Sequence, residues 1–357
     1  MFHKTRQKFT VLFVALAATC LLVVPGCGDD SSSDTTEALS TTTVALATTT
    51  TVTPTTTVAP EPVEKPLIVV TTNILGDVVG KAVGDLFDVE TIMPSGADPH
   101  VFQASAKQVD RMMKADLLVV NGANFEEGLL DVIKGAESDG VKVFEAIDSV
   151  DPLEDNDKEE GHDDHDEEGH DDHHGHDHGG VDPHFFTDPG RMAQVVKQLS
   201  DFLVLNFPEI DEKDLVSNMT DYSKKLEDLD SEVMQTLSSI PTGSRVMVTN
   251  HEVFAYFAES YEFEILGTII PSSSTLSNTS AKDLVDLAEK MKAEGVPAVF
   301  VDASSSDALA EALAGEVDGV KVVSLFSESL GAENTAGSTY IDMVRTNSEL
   351  IASALTG

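Results

Sequence analysis

The chain has 357 residues, 41% of them hydrophobic, enough for two domains of ordinary size with real cores. A formal net charge of −41, from 22 Lys and Arg against 63 Asp and Glu, excludes nucleic acid as a partner, because gripping a phosphate backbone takes basic side chains. Part of the excess is local, with 14 acids and one Lys between positions 151 and 178; the rest suits solubility and attraction of cations without specifying a fold.

Residues 1–26 read as a secretory signal peptide, with His3, Lys4, Arg6 and Lys8 before an apolar run over 9–24. A membrane-spanning anchor is the competing reading, weakened by Val24-Pro25-Gly26-Cys27, which resembles a bacterial lipobox despite the uncommon Pro25. The expected cut falls before Cys27, which then carries a lipid; Cys20 leaves with the leader, so the folded part has no disulfide. Residues 27–66 form a Thr/Ser/Pro-rich tether, too poor in apolar side chains to pack, with Pro54, Pro60, Pro62 and Pro66 favouring extended chain.

From 67 onward strands and helices alternate. Strands are predicted over 67–72, 87–93, 116–120 and 141–144, with helices over 75–83, from a Ser105 N-cap, and over 125–134. This is the grammar of a doubly wound parallel sheet, assigned here to an N-terminal lobe over 67–210. An acidic, His-rich loop interrupts it at about 149–181. Asp188-Pro189 then starts a helix that ends near Phe207-Pro208. Over 211–240, Leu215, Met219, Tyr222, Leu226, Leu229, Val233 and Leu237 recur at spacings of three and four, the pattern of a long rigid helix connecting two lobes. The C-terminal lobe, 241–357, repeats the grammar: strands over 245–249, 263–268, 298–302 and 320–325, and helices after His251 and over 281–294, 307–314 and 339–355.

Histidine usage points to a metal. Of 11 His, His3 lies in the leader and seven (His162, His165, His170, His173, His174, His176 and His178) lie in the acidic loop, where they form a weak, flexible metal-collecting tract. The three that remain, His100, His184 and His251, all fall in loops before helices, and His251 and Glu328 follow closely on strand carboxyl ends, where open α/β sheets bind ligands. A lone loop His is more often a surface or capping residue than a ligand; the joint placement carries the inference. Three imidazoles with one carboxylate fill a tetrahedral zinc site and leave no position for water, which suits carrying a metal rather than activating water on it.

Five segments give the chain a specific resemblance: GADPHVFQASAKQVD (96–110), NGANFEEGL (121–129), VDPHFFTDP (181–189), VTNHEVFAYFAESYEFEILG (248–267) and STYIDMVRTN (338–347). The sequence from 67 to the C-terminus resembles the metal-binding solute receptors of bacterial zinc and manganese ABC importers. That resemblance implies two α/β lobes joined by one rigid helix, a metal held in the cleft between them by His100, His184, His251 and an acid, and no enzymatic activity. Its expected partners are an ABC permease and its ATPase, with a lipid anchor placing a monomer on the outer face of the cytoplasmic membrane. Two departures stand out: the family's usual Asp at the fourth position is matched by Glu328, with Glu333 as the fallback, and Gln103-Ala104-Ser105 replaces Glu-Pro-Ser. His251 favours Zn2+ as transported ligand, because an acid there accompanies Mn2+ in the family; the nitrogen-rich set points the same way. The competing readings are a manganese receptor, a metal-buffering or adhesin lipoprotein, and a zinc hydrolase; the last lacks any His-Glu-x-x-His helix.

Overall fold

A computed structural model describes residues 64–154 and 180–357. The expected signal peptide, Cys27 with its tether, and the seven His of the tract lie outside the described residues. The N-terminal lobe is built on β1 (Leu67–Val70), β2 (Asp88–Thr91), β3 (Leu117–Val120) and β4 (Lys142–Glu145), ordered β2-β1-β3-β4 with every pairing parallel. The C-terminal lobe repeats this with β5 (Val246–Thr249), β6 (Glu264–Thr268), β7 (Ala298–Asp302) and β8 (Lys321–Leu325), ordered β6-β5-β7-β8 and again parallel throughout. Central strands covered on both faces read as continuous apolar runs, as Leu117-Leu118-Val119-Val120 does, all four residues being buried.

The helices start where local chemistry satisfies their first amides. The predicted first strand stops two residues early because Thr72 is spent as N-cap of α1 (Asn73–Val83), its hydroxyl accepting from the Leu75 amide. Ser105 and Gln108 form a capping box on α2 (Ala106–Met113). The helix expected over 125–134 instead begins later, as a 3-10 turn over Glu127–Leu129 leading into α3 (Leu130–Ser138). Ala123 and Asn124 hold φ of 51° and 58°, which breaks any helix there, and the Glu126 carboxylate takes the Asn121 amide at 2.7 Å and the Thr71 hydroxyl at 2.5 Å. Gly128 lies so close to the Phe102 carbonyl that a Cβ would come within 2.1 Å of it, which ties this turn to the chain just after His100.

Asp188 caps α4 (Pro189–Asn206), with Pro at the first helical position. Next comes α5 (Glu212–Leu237), whose 26 residues span about 39 Å at 1.5 Å per residue. Its seven predicted apolar positions are all buried. α5 packs on α1 and α4, and also on α9 (Tyr340–Thr356), which belongs to the second lobe. A single apolar core therefore runs from Ile68 in the first sheet through Leu226 to Phe300 in the second. Such a strut ties the sheets while leaving a cleft at the carboxyl ends of their strands. α6 (Ala255–Tyr261), α7 (Ala281–Glu294) and α8 (Ala308–Glu316) complete the second lobe. Among the described residues no helix is long and apolar enough to cross a membrane.

Candidate metal centre

Four loops converge on the cleft. His100 lies between β2 and α2, His184 just ahead of α4, His251 two residues beyond β5, and Glu328 three beyond β8. Their ligand atoms all lie within 4.8 Å of one another, and all four side chains are buried. The Nε2 atoms of His251, His184 and His100 stand 3.0, 3.4 and 3.6 Å from the Glu328 carboxylate. A tetrahedral zinc site with bonds of about 2.0–2.1 Å separates neighbouring ligand atoms by about 3.3 Å, so this spacing suits such an ion. His100 Nε2, His184 Nε2 and Glu328 Oε2 are buried without a hydrogen-bond partner among the described residues. Buried polar groups left this way are costly, and all three meet at one point, so the donor set fits a divalent cation. Glu333, the fallback acid, is exposed and outside this group.

The ligands are held from behind. Asp182 Oδ1 receives both the backbone amide of His184 (2.9 Å) and its Nδ1 (2.8 Å), so Nε2 is the nitrogen turned to the cleft. Asp98 Oδ1 receives the His100 amide (2.9 Å), and Glu127 lies 3.2 Å from His100 Nδ1. The Phe125 ring stands edge-on to both His100 and His184, with centroids at 5.1 and 5.5 Å, and fixes their angle. Glu328 is positioned by Asp302, at the end of β7, whose Oδ2 receives the amides of Ser327 and Glu328 and the Ser327 hydroxyl at 2.8–3.0 Å. His251 Nδ1 has no such partner among the described residues.

Charge balance explains how the cluster tolerates burial. Burial pushes the Glu328 carboxyl up, but His184 and His251 beside it more than reverse this and hold it well below the usual carboxylate range. Burial likewise disfavours a charged His184, yet Glu328 and Asp182 outweigh it and raise that imidazole to about 10. The two shifts are one interaction seen from two sides. A divalent cation can therefore take the place of the proton that the carboxylates draw onto His184.

Five supporting residues, Asp182, Asp98, Glu127, Phe125 and Asp302, received no role from sequence reasoning. One signal was available: Asp-Pro-His occurs twice, at 98–100 and 182–184, and both copies make the same turn, Asp Oδ1 taking the amide of the His two residues on. Asp302 and Glu127 act across folded distance and carry no local mark.

Two parallel-sheet lobes with a buried three-His, one-carboxylate cluster in the cleft between them have the architecture of a metal-binding receptor, and the cluster could hold one metal ion. A family described as zinc-uptake complex component A, periplasmic (ZnuA), matches residues 68–354, and the chain belongs to it. Its members are substrate-binding components of metal ABC transporters, not enzymes. The chain is 29% identical over 298 residues to the zinc-binding protein TroA of Treponema pallidum, covering 82% of this chain and 89% of that protein. It is 25% identical over 300 residues to the manganese ABC transporter substrate-binding lipoprotein PsaA of Streptococcus anginosus, covering 82% and 90%. The solved structure of the periplasmic zinc-binding protein TroA superimposes with a TM-score of 0.70 at 27% identity, covering 82% of this chain and 100% of that one.

Proposed function

We propose that this protein is an exported, lipid-anchored zinc receptor that binds one Zn2+ through His100, His184, His251 and Glu328 and delivers it to the permease of an ABC importer. The observation that carries the reading is the convergence of three imidazoles and one carboxylate, all buried, within 4.8 Å. Three nitrogens and one oxygen favour zinc over manganese, whose preferred partners are carboxylate, carbonyl and water oxygens. The relatives are named for both metals, so the preference for zinc rests on the donor set. The anchor rests on Cys27, and the loop between 154 and 181 is read as a weak zinc collector. Its base is described: Glu154 and Val181 form an antiparallel bridge, and the chain runs on within three residues to His184. Competition for purified protein between zinc and manganese, read by bound-metal content, tests the assignment. One zinc per chain, undisplaced by a large excess of manganese, is expected; preferential retention of manganese would reverse it.

A further inference from the structure

The carboxylates that hold His100 also hold the opposite lobe. Glu127 Oε1 lies 3.2 Å from His100 Nδ1 and accepts from the Ser274 hydroxyl at 2.5 Å. Asp98 accepts from the His100 amide on Oδ1 (2.9 Å) and from the Thr275 hydroxyl on Oδ2 (2.8 Å). Ser274 and Thr275 sit on the loop between β6 and α7 of the C-terminal lobe, 147 and 177 residues from these partners. The loop is stiffened locally, since the Ser274 hydroxyl accepts from the Leu276 amide and the Ser272 hydroxyl from the Ser274 amide. It also edges the open side of the site, a cleft of about 460 Å3 lined by His100, Glu127, Ser273, Ser274 and Pro183.

We propose that Ser274 and Thr275 are positioning residues that latch the two lobes over the bound cation by engaging the carboxylates behind His100. The inference rests on the receptor reading above. A carboxylate only accepts hydrogen bonds, so with Nε2 facing the cation, the Nδ1 proton of His100 must point at Glu127. A cation on Nε2 makes that N–H a stronger donor and fixes Glu127 in the orientation that Ser274 meets. The coupling is reciprocal: a closed latch holds His100 on the ion, and the ion holds the latch closed. A second crossing lies beside Glu328, where the Ser329 hydroxyl accepts from the Gly96 amide (2.8 Å) and from Asn73 Nδ2 (2.7 Å). These two crossings adjoin or support His100 and Glu328, one from each lobe, so opening the cleft here pulls on ligands from both sides. The latch governs how long the ion stays, not whether the ligands can bind it.

The test uses the full chain. Zinc release into excess chelator is followed by stopped flow for wild type, the double variant Ser274→Ala with Thr275→Val, and the single variant Ser274→Thr, which keeps the hydroxyl. Losing two hydrogen bonds to carboxylates should speed release about tenfold or more in the double variant, with one zinc per chain retained and association unchanged. Ser274→Thr should release at close to the wild-type rate, which a merely structural role for the loop does not predict. Amide exchange on wild type gives an independent reading: zinc should slow exchange over residues 272–276. Wild-type release rates in the double variant, or identical exchange over this loop with and without zinc, would overturn the latch and leave the receptor intact. Failure of wild type to bind zinc at all would overturn the receptor reading, and the latch with it. Should the double variant not fold, the exchange measurement decides.

Discussion

Replacing Asp302 by Ala tests how the second lobe presents its carboxylate. Asp302 is 1% exposed, and its Oδ2 is the acceptor for the amides of Ser327 and Glu328 and for the Ser327 hydroxyl. Ser327 and Glu328 are themselves buried, so water does not replace the lost acceptor. Leaving a buried donor unmade costs about 1–3 kcal/mol, and three such donors with some loop relaxation give an expected loss of about 3–5 kcal/mol. That is a large share of the ~5–15 kcal/mol that holds an ordinary domain together. Oδ1 also serves the Ser304 amide at 2.7 Å, but Ser304 is only half-buried and water can take over there. Asp302→Asn keeps one acceptor oxygen and should lose about 1–2 kcal/mol. Urea unfolding of the metal-free protein measures the stability change. Competition with a zinc chelator measures the second consequence, a ~10–100-fold fall in affinity as Glu328 loses its support. If Asp302→Ala unfolds at the wild-type urea midpoint, or binds zinc as tightly as wild type, Asp302 is not what positions Glu328.

Further outcomes follow from the same geometry. His184→Ala should lower zinc affinity by at least two orders of magnitude while the fold survives, read by metal content and circular dichroism; wild-type affinity would remove His184 from the site. Because Glu328 and Asp182 raise His184 to about 10, zinc binding at neutral pH should release close to one proton, seen as a dependence of calorimetric heat on buffer ionisation. The same pair sets a pH window for the metal-free protein. The raised His184 contributes stability that is full below its unfolded value near 6.5 and is lost as pH rises through 10, whereas the depressed Glu328 contributes above about 4.5 and loses it on acidification. Apo stability from this pair should therefore be greatest between about pH 4.5 and 6.5, and a Glu328→Gln variant should lose that plateau. Tyr256→Phe should loosen the base of the acidic loop, since its hydroxyl accepts from the Leu153 amide (3.0 Å) and donates to the Asp182 carbonyl (2.7 Å), one on each side of the loop; faster amide exchange at 153 and 181–182 checks this.

The lobes were legible because parallel strands covered on both faces are short apolar runs, and because the register of Leu215 to Leu237 admits only one long buried stripe. The three His were legible because this chain uses so few outside one tract. Whatever depended on side chains meeting across the fold was not. The third helix was expected five residues too early because the left-handed turn at Ala123 and Asn124, stabilised by the buried Glu126, overrides the helical propensity of Phe125 to Lys134. Spacing favoured Glu328 and left Glu333 as the fallback; that Glu328 is the acid grouped with the three His is seen only in the folded chain, where Asp302 binds the Ser327 and Glu328 amides from 25 or more residues away. Glu127 looked like an ordinary acid on a helical turn, and only the folded chain brings it between His100 and Ser274.

His100, His184, His251 and Glu328 are proposed to hold the transported ion. The measurement that tests it most directly is an anomalous difference map from crystals of the zinc-loaded protein, recorded on both sides of the zinc absorption edge. One strong peak is expected in the interlobe cleft, about 2.0–2.2 Å from the Nε2 atoms of His100, His184 and His251 and from a Glu328 oxygen. A cleft without a peak, or a peak whose ligands leave out any of the three histidines or replace Glu328 by Glu333, would contradict it.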